Sequence, residues 1–321
     1  MTSKERIHNA MARHATDRVP VFMWFQPSTA RRLAEALEIP PARLPEAMGD
    51  DVRQTWVNNN YAMEGVRHEH DGESHRDAWG ITWVKEGEFN QIVDFPLADA
   101  APDQMLAYSF PYSAMNRLLA LMEPVMLHRH THCCSVDVSP CVFEMYDRLR
   151  GMEAALLDLA AQPGLADTML GRCADFAVAL SEASLERFDV DWLWTGDDIA
   201  GQQALFMSPD CWRELIKPHL ARVVNVGKAK GLPVAYHCCG AVRAIIPDLV
   251  DMGVDILNPI QCNCPGMAPD ELKREFGADL TFMGGVDTQG LLPHGTPAEV
   301  ARATAELIAT MTSDGGGYIL A

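Results

Sequence analysis

"LPVAYHCCGAVRAIIPDLVDMGVDILNPI", residues 232–260, reads as a short apolar strand, a turn holding a histidine, two cysteines and a glycine, a helix stopped by Gly253, and a second apolar strand. Apolar runs bounded by glycine and proline, with a segment of helical length between them, make a strand–helix–strand unit. The same alternation extends both ways. Upstream, "SPDCWRELIKPHLARVVNVGKAKG" opens with Ser208 as N-cap and Pro209 at the first helical position and stops at Gly231, with Pro218 predicting a kink. Downstream, "APDELKREFG" is a helix ending at Gly277 and "ADLTFMGG" a strand. Thr296 to Glu299 form a capping box ahead of "AEVARATAELIATM", and "GGGYILA" is a last strand.

Earlier in the chain, Gly151 to Phe188 has a largely helical pattern and leads into the strand "DVDWLWTGDD". Residues 50–110 are aromatic, alternating and turn-rich, which suits a small hairpin excursion. Repeating strand–helix units imply a parallel sheet with right-handed crossovers. Polar residues gather at the C-terminal ends of these strands, as in barrel enzymes. The expected fold is therefore α/β, a single (β/α)8 TIM barrel over residues 1–321 with an N-terminal hairpin excursion.

Composition narrows the function. The 321 residues carry 26 basic and 44 acidic side chains, a formal charge of -18, with no Lys/Arg run. Phosphate contact needs clustered positive charge, so no nucleic-acid partner is expected. The first twenty residues lack the apolar core of a signal peptide, and no apolar run approaches the ~18 residues of a membrane span, so a cytoplasmic protein is expected. Nine cysteines in such a chain fit thiol chemistry, metal ligation or burial better than a disulfide framework.

Four strand ends share a polar texture: "WTGDD" with Asp197 and Asp198, "YHCCG" with His237, Cys238 and Cys239, "NPIQCNCPG" with Asn258, Gln261, Cys262 and Cys264, and "MGGVDTQG" with Asp287 and Gln289. In a barrel all four face one cavity. His237 and Cys239, joined by Cys264 from the next strand end, make an imidazole and two thiolates suited to zinc with an open fourth position. The alternative is that His237 is a hydrogen-bonded core residue and both cysteines of the pair are buried hydrophobes. A redox pair is a third reading, though adjacent cysteines form strained disulfides. Asp197, Asp198 and Asp287 are each candidates for orienting a ligand or moving a proton, or for capping a turn. In "LHRHTHCC", His128, His130 and His132 alternate, and on a strand they would share a face. Whether they hold a metal or form a solvated edge stays open.

The stretches from Asp189 to Leu220, His237 to Gln261, Leu272 to Pro297, and Gly315 to Ala321 resemble the uroporphyrinogen decarboxylase superfamily. The resemblance is weaker over "DRVPVF", "MGDDVRQTW", "DAWGITW" and "LRGMEAALLDL". It implies one barrel over the whole chain. The superfamily includes both tetrapyrrole decarboxylases and zinc- and corrinoid-dependent methyltransferases. The decarboxylases resemble one another in an arginine-rich segment that here reads "VFMWFQPSTARRL", with Trp24, Phe25 and Gln26 and with Arg31 and Arg32 only later. A polycarboxylate substrate on so acidic a chain would need that patch.

The methyltransferase branch carries a zinc site of H-x-C plus a distant cysteine. His237 and Cys239 match the first two positions. The third usually lies beyond the last strand, so it is expected from Cys264 or from a tail absent here. The resemblance thus implies methyl transfer from a methyl-corrinoid on a partner protein to a zinc-activated thiol or folate-type acceptor. Asp198 and Asp287 would act at the catalytic centre, with Asp51 resembling the decarboxylase's pyrrole-binding aspartate. Asp197, Asn258, Gln261 and Gln289 are expected to bind the acceptor. Two alternatives stand: a uroporphyrinogen-type decarboxylase, and a non-catalytic barrel that binds a ligand or a corrinoid protein. The oligomeric state is open, a homodimer included.

Overall fold

The computed structural model describes residues 1–58, 68 and 70–321. Its strands are β1 (Val52–Trp56), β2 (Ser74–Arg76), β3 (Thr82–Glu86), β4 (Phe89–Asp94), β5 (Cys133–Asp137), β6 (Trp192–Gly196), β7 (Val234–His237), β8 (Ile256–Ile260), β9 (Thr281–Gly284) and β10 (Tyr318–Ile319). Seven of them form one parallel sheet in the order β1-β5-β6-β7-β8-β9-β10, joined by helical crossovers as the strand–helix rhythm requires. This is an α/β barrel architecture. The expected excursion is a three-stranded antiparallel sheet, β2-β3-β4, in which Gly87 at φ +61° turns the hairpin between β3 and β4.

Strand alternation sorts the core into two clusters. Val52, Cys133, Trp192, Trp194, Ala235, Ile256, Met283 and Ile319 pack together on the inner face, with Ile7 added from the helix Ser3–Met11. Their neighbours Cys134, Val136, Leu193, Val234, Tyr236, Leu257, Phe282 and Tyr318 belong to the larger cluster shared with the helices. The helix Ser3–Met11 closes the N-terminal end of the sheet.

At the sheet edges, residues 20–22 lie between β10 and β1. Val21 makes an isolated parallel bridge to Leu320, and the Asp51 N–H donates to the Val21 carbonyl at 2.8 Å. Seven paired strands and this single bridge are what the described residues show of the expected eight-stranded closure.

The helix stops read from sequence are in place. Ser208 accepts from the Cys211 N–H, Thr296 and Glu299 form the capping box, and Gly253 ends its helix at φ +92°. The predicted kink at Pro218 is a break, with helices Pro209–Leu215 and Lys217–Ala229 meeting at Ile216. The long helical stretch is likewise divided, into Met152–Ala161 and Pro163–Arg187, at the proline that lacks a helical N–H. His128, His130 and His132 do not lie on a strand. Residues 127–132 are turns ahead of β5, so the alternation that would align three imidazoles does not apply. His128 and His132 rings meet edge to face at 5.5 Å, and neither belongs to a metal-competent cluster among the described residues. No described helix is long and apolar enough to cross a membrane. All nine cysteines are unbridged.

Candidate metal centre at the barrel mouth

His237 is the last residue of β7 and shares the inner face with Ala235, so its ring enters the mouth of the barrel. Its Nδ1 lies 2.7 Å from Asn258 Oδ1 on β8, an acceptor, so Nδ1 carries the hydrogen and Nε2 is left for other work. Nε2 faces Cys239 Sγ at 3.7 Å and Asp198 Oδ1 at 3.8 Å. Asp198 is oriented in turn by the Cys239 N–H, which donates to Oδ1 at 2.8 Å. Donor atoms of Asp198, His237 and Cys239 all lie within 4.8 Å of one another. Donors on a tetrahedral zinc stand roughly 3.3 to 3.8 Å apart, so the two separations from His237 match that spacing.

The electrostatics agree with the geometry. Burial works against a charged His237, yet the contact with Cys239, the Asp198 carboxylate and the bond to Asn258 outweigh it and raise its pKa to about 10. An imidazole nitrogen, a thiol and a carboxylate whose donor atoms lie within 4.8 Å of one another form a set that fits zinc once the histidine and the thiol release their protons. Trp194 lies beneath with its ring nearly parallel to His237, centroids 6.3 Å apart.

Adjacent residues take opposite roles. Cys238 is fully buried and accepts from the Ile199 N–H at 3.4 Å, whereas Cys239 is exposed at the mouth. Asp197 is fully buried, and its carboxylate accepts from the backbone N–H groups of Val142, Phe143 and Glu144, the start of helix Phe143–Arg150. Burial nevertheless pushes its pKa up to about 7. The carboxylate expected to contact substrate is thus spent on orphan helix donors.

Cys264, expected as the third ligand, is not in the cluster. It is 5% exposed, with Sγ directed at Gln202 Oε1 at 3.7 Å, and Asp198 occupies the place beside His237 and Cys239. Gln261 ties the mouth loops together, accepting from the Gly240 N–H at 2.7 Å and donating to Gln202 at 2.7 Å. Gly240 sits at φ +91°, and a Cβ there would fall 2.5 Å from the Gly201 carbonyl oxygen, so only glycine allows these two loops to touch. Asp287 lies after β9 at the same end of the barrel. Its carboxylate accepts from the N–H groups of Gln289, Gly290 and Leu291, a turn-capping role that holds its pKa low, and Asn263 bonds Gln289 at 3.0 Å.

Asp51 is a correction. It immediately precedes β1, at the N-terminal end of the strands, while His237 is at the C-terminal end of β7 in the same parallel sheet. Fully buried, it accepts from Arg6 at 2.5 Å, from Arg18 at 2.7 and 2.9 Å, and from the Val21 N–H at 2.9 Å. It binds the N-terminal segment to the barrel and cannot reach the mouth.

The structure adds a polar inner wall that sequence reasoning missed. Gln54, Ser135 and Trp192 are register partners on β1, β5 and β6, and Trp56, Asp137 and Trp194 form the rung above. Gln54 Oε1, Ser135 Oγ and the Nε1 atoms of Trp192 and Trp194 are buried without a protein partner. Asp137 is fully buried and bonded to Ser139 and to Gln54 at 3.2 Å, with its pKa pushed up to about 8 by burial. The signal was present in "CCSVDVSP", an apolar strand that ends in a polar residue like the other four strand ends.

A family model described as uroporphyrinogen decarboxylase (URO-D) matches residues 142–321. The chain is 20% identical over 315 residues to a methylcobamide:CoM methyltransferase, MtbA, of Methanosarcina acetivorans, covering 96% of this chain and 89% of that protein. It is 25% identical over 167 residues to a methylated-thiol–coenzyme M methyltransferase of Methanosarcina mazei, covering 52% of this chain and 42% of the relative. In fold it resembles a solved methyltransferase from Methanosarcina mazei, with a TM-score of 0.67 at 16% identity, over 100% of this chain and 92% of the other. With more than half its residues inside the family model, and methyltransferases as matched relatives along the full barrel, the chain belongs to the uroporphyrinogen decarboxylase superfamily, on its methyltransferase branch.

Proposed function

We propose that this protein is a zinc-dependent methyltransferase that takes a methyl group from a methyl-corrinoid on a partner protein and passes it to a small-molecule thiol or folate-type acceptor. The observation that carries the reading is the cluster of Asp198, His237 and Cys239 at the barrel mouth, in a chain whose matched relatives are named methylcobamide:CoM methyltransferases. His237, Cys239 and Asp198 would hold the metal, with Cys264 the reserve thiol behind Gln202. Bound zinc supplies a Lewis acid that lowers the pKa of an acceptor thiol.

The protein's own groups do the rest. Asn258 fixes the His237 ring, and the Cys239 N–H fixes Asp198. The acceptor sits above the inner wall, where Ser135, Gln54, Trp192 and Trp194 offer hydrogen-bonding atoms that no protein group uses. Gln261, Asp287 and Gln289 shape the loops around it. The methyl donor approaches from the open side, where Cys239 is exposed. Residues 20–22 run between the first and last strands of the sheet, with Val21 bridged to Leu320, which supports a barrel-like enclosure around the site.

Protein purified without added metal is expected to contain zinc, close to one equivalent of which is lost when His237 and Cys239 are replaced by alanine, and to demethylate methylcobalamin in the presence of a thiol. Less than about a tenth of an equivalent, with no gain in activity on zinc addition, would overturn the reading. Conversion of uroporphyrinogen to coproporphyrinogen would establish the decarboxylase in its place.

A further inference from the structure

We propose a second divalent-cation site, suited to zinc, at the closed end of the barrel, formed by His8, Cys133 and Asp191. Its donor atoms lie within 4.8 Å of one another. They come from three separate elements: the helix Ser3–Met11, the first residue of β5, and the residue preceding β6. It lies at the opposite end of the strands from His237, and it is independent of the methyltransferase reading.

Three features favour a cation here. The Asp191 carboxylate is already oriented, because Oδ2 accepts from the Cys134 N–H at 2.8 Å. That leaves Oδ1 facing His8 Nε2 at 3.5 Å, the separation of two donors on one tetrahedral zinc. Second, Oδ1 already draws a cation: the Lys4 ammonium lies 2.8 Å away, a positive charge supplied by a flexible and partly exposed side chain. Third, the charges balance. A zinc ion with one thiolate, one carboxylate and a neutral imidazole is electrically neutral, which suits a site where Cys133 is fully buried and Asp191 nearly so. On binding, the Cys133 thiol proton leaves to solvent and the Lys4 ammonium swings out, so zinc replaces one proton and one ammonium. His8, half exposed, is the entry side, and water takes the fourth position.

The consequence is mechanical. The helix Ser3–Met11 contributes Ile7 to the inner core and closes that end of the sheet. A metal shared between His8 and two barrel residues would pin this helix in place, and such binding energy adds to the stability of the fold.

The test uses full-length protein carrying His237→Ala and Cys239→Ala, which removes the mouth site, titrated with Zn²⁺ against a chromophoric chelator. The expected result is one equivalent of zinc, a rise in melting temperature on binding, and loss of both when His8→Ala is added. Lys4→Ala should tighten binding by roughly fivefold, the equilibrium equivalent of one partly exposed ion pair. Cobalt substitution should give a thiolate-to-metal absorption band. No bound zinc in the mouth-site variant, or binding that His8→Ala leaves unchanged, overturns the proposal. Because His8 is half exposed, its replacement leaves the fold intact and a null result is informative.

Discussion

Replacing Asp198 by asparagine keeps the side-chain shape and the bond from the Cys239 N–H but removes a full negative charge from beside His237. In the structure that carboxylate is 3.8 Å from His237 Nε2, at the spacing of a shared metal, whereas Cys264 directs its sulfur at Gln202. Outer-shell partners of a metal ligand typically contribute 10- to 100-fold in affinity, so losing a charged direct ligand should cost about 100-fold or more, equivalent to about 2.7 kcal/mol. Cys264→Ser should cost less than about tenfold, as expected of a residue outside the ligand set. Zinc affinity is measured by competition with a chelator, after His8→Ala has removed binding at the closed end from every variant. Folding is checked by circular dichroism. If Cys264→Ser weakens zinc more than Asp198→Asn does, the assignment of Asp198 as third ligand is wrong, and the distant-cysteine pattern of the superfamily holds here.

Three further outcomes follow from particular contacts. Gly240→Ala forces a Cβ to 2.5 Å from the Gly201 carbonyl at φ +91° and should destabilise the fold by roughly 2–4 kcal/mol in chemical denaturation; a loss under about 1 kcal/mol would show that the two mouth loops yield easily. Asp51→Ala leaves Arg6 and Arg18 without their buried carboxylate and should cost about 3 kcal/mol while leaving zinc affinity at the mouth unchanged; a selective loss of activity at full stability would return Asp51 to the catalytic centre. Burial raises the pKa of Asp147 to about 8 from an ordinary value of 3.8, with Glu144 adding to the shift. Between those values the folded chain keeps a proton that the unfolded chain has released, so this group's contribution falls as pH rises through the window. Asp147→Asn should therefore gain stability relative to the wild type from pH 5 to pH 8, and a gap that stays constant would refute the assignment.

Much of the fold was legible because it rests on short-range signals. Ser208, Gly253 and the Thr296–Glu299 box act within one helical turn, and each sits where its neighbours in sequence place it. The convergence of polar strand ends also followed from sequence, since parallel strands put their C-terminal ends at one mouth whatever the details of packing. Two readings needed the structure: the three histidines, whose role had been left open, lie in turns where strand alternation does not apply, and for Asp51 a resemblance in position had stood in for a contact.

Residue type and periodicity alone therefore determined the parallel α/β architecture and the gathering of polar strand ends at one mouth, and left His237 and Cys239 open between ligand and core roles. Only tertiary structure separated Asp197 from Asp198. Chain alternation after β6 sends the first to the unsatisfied N–H groups of a helix that starts more than fifty residues earlier, and the second to His237. It alone brought Asp198 rather than Cys264 within 4.8 Å of the donor atoms of His237 and Cys239, and brought His8, Cys133 and Asp191 to one point at the other end. The reason is physical: a strand's alternation says which side chains share its face, but which donors from distant strands come within reach of one ion depends on how their ends pack.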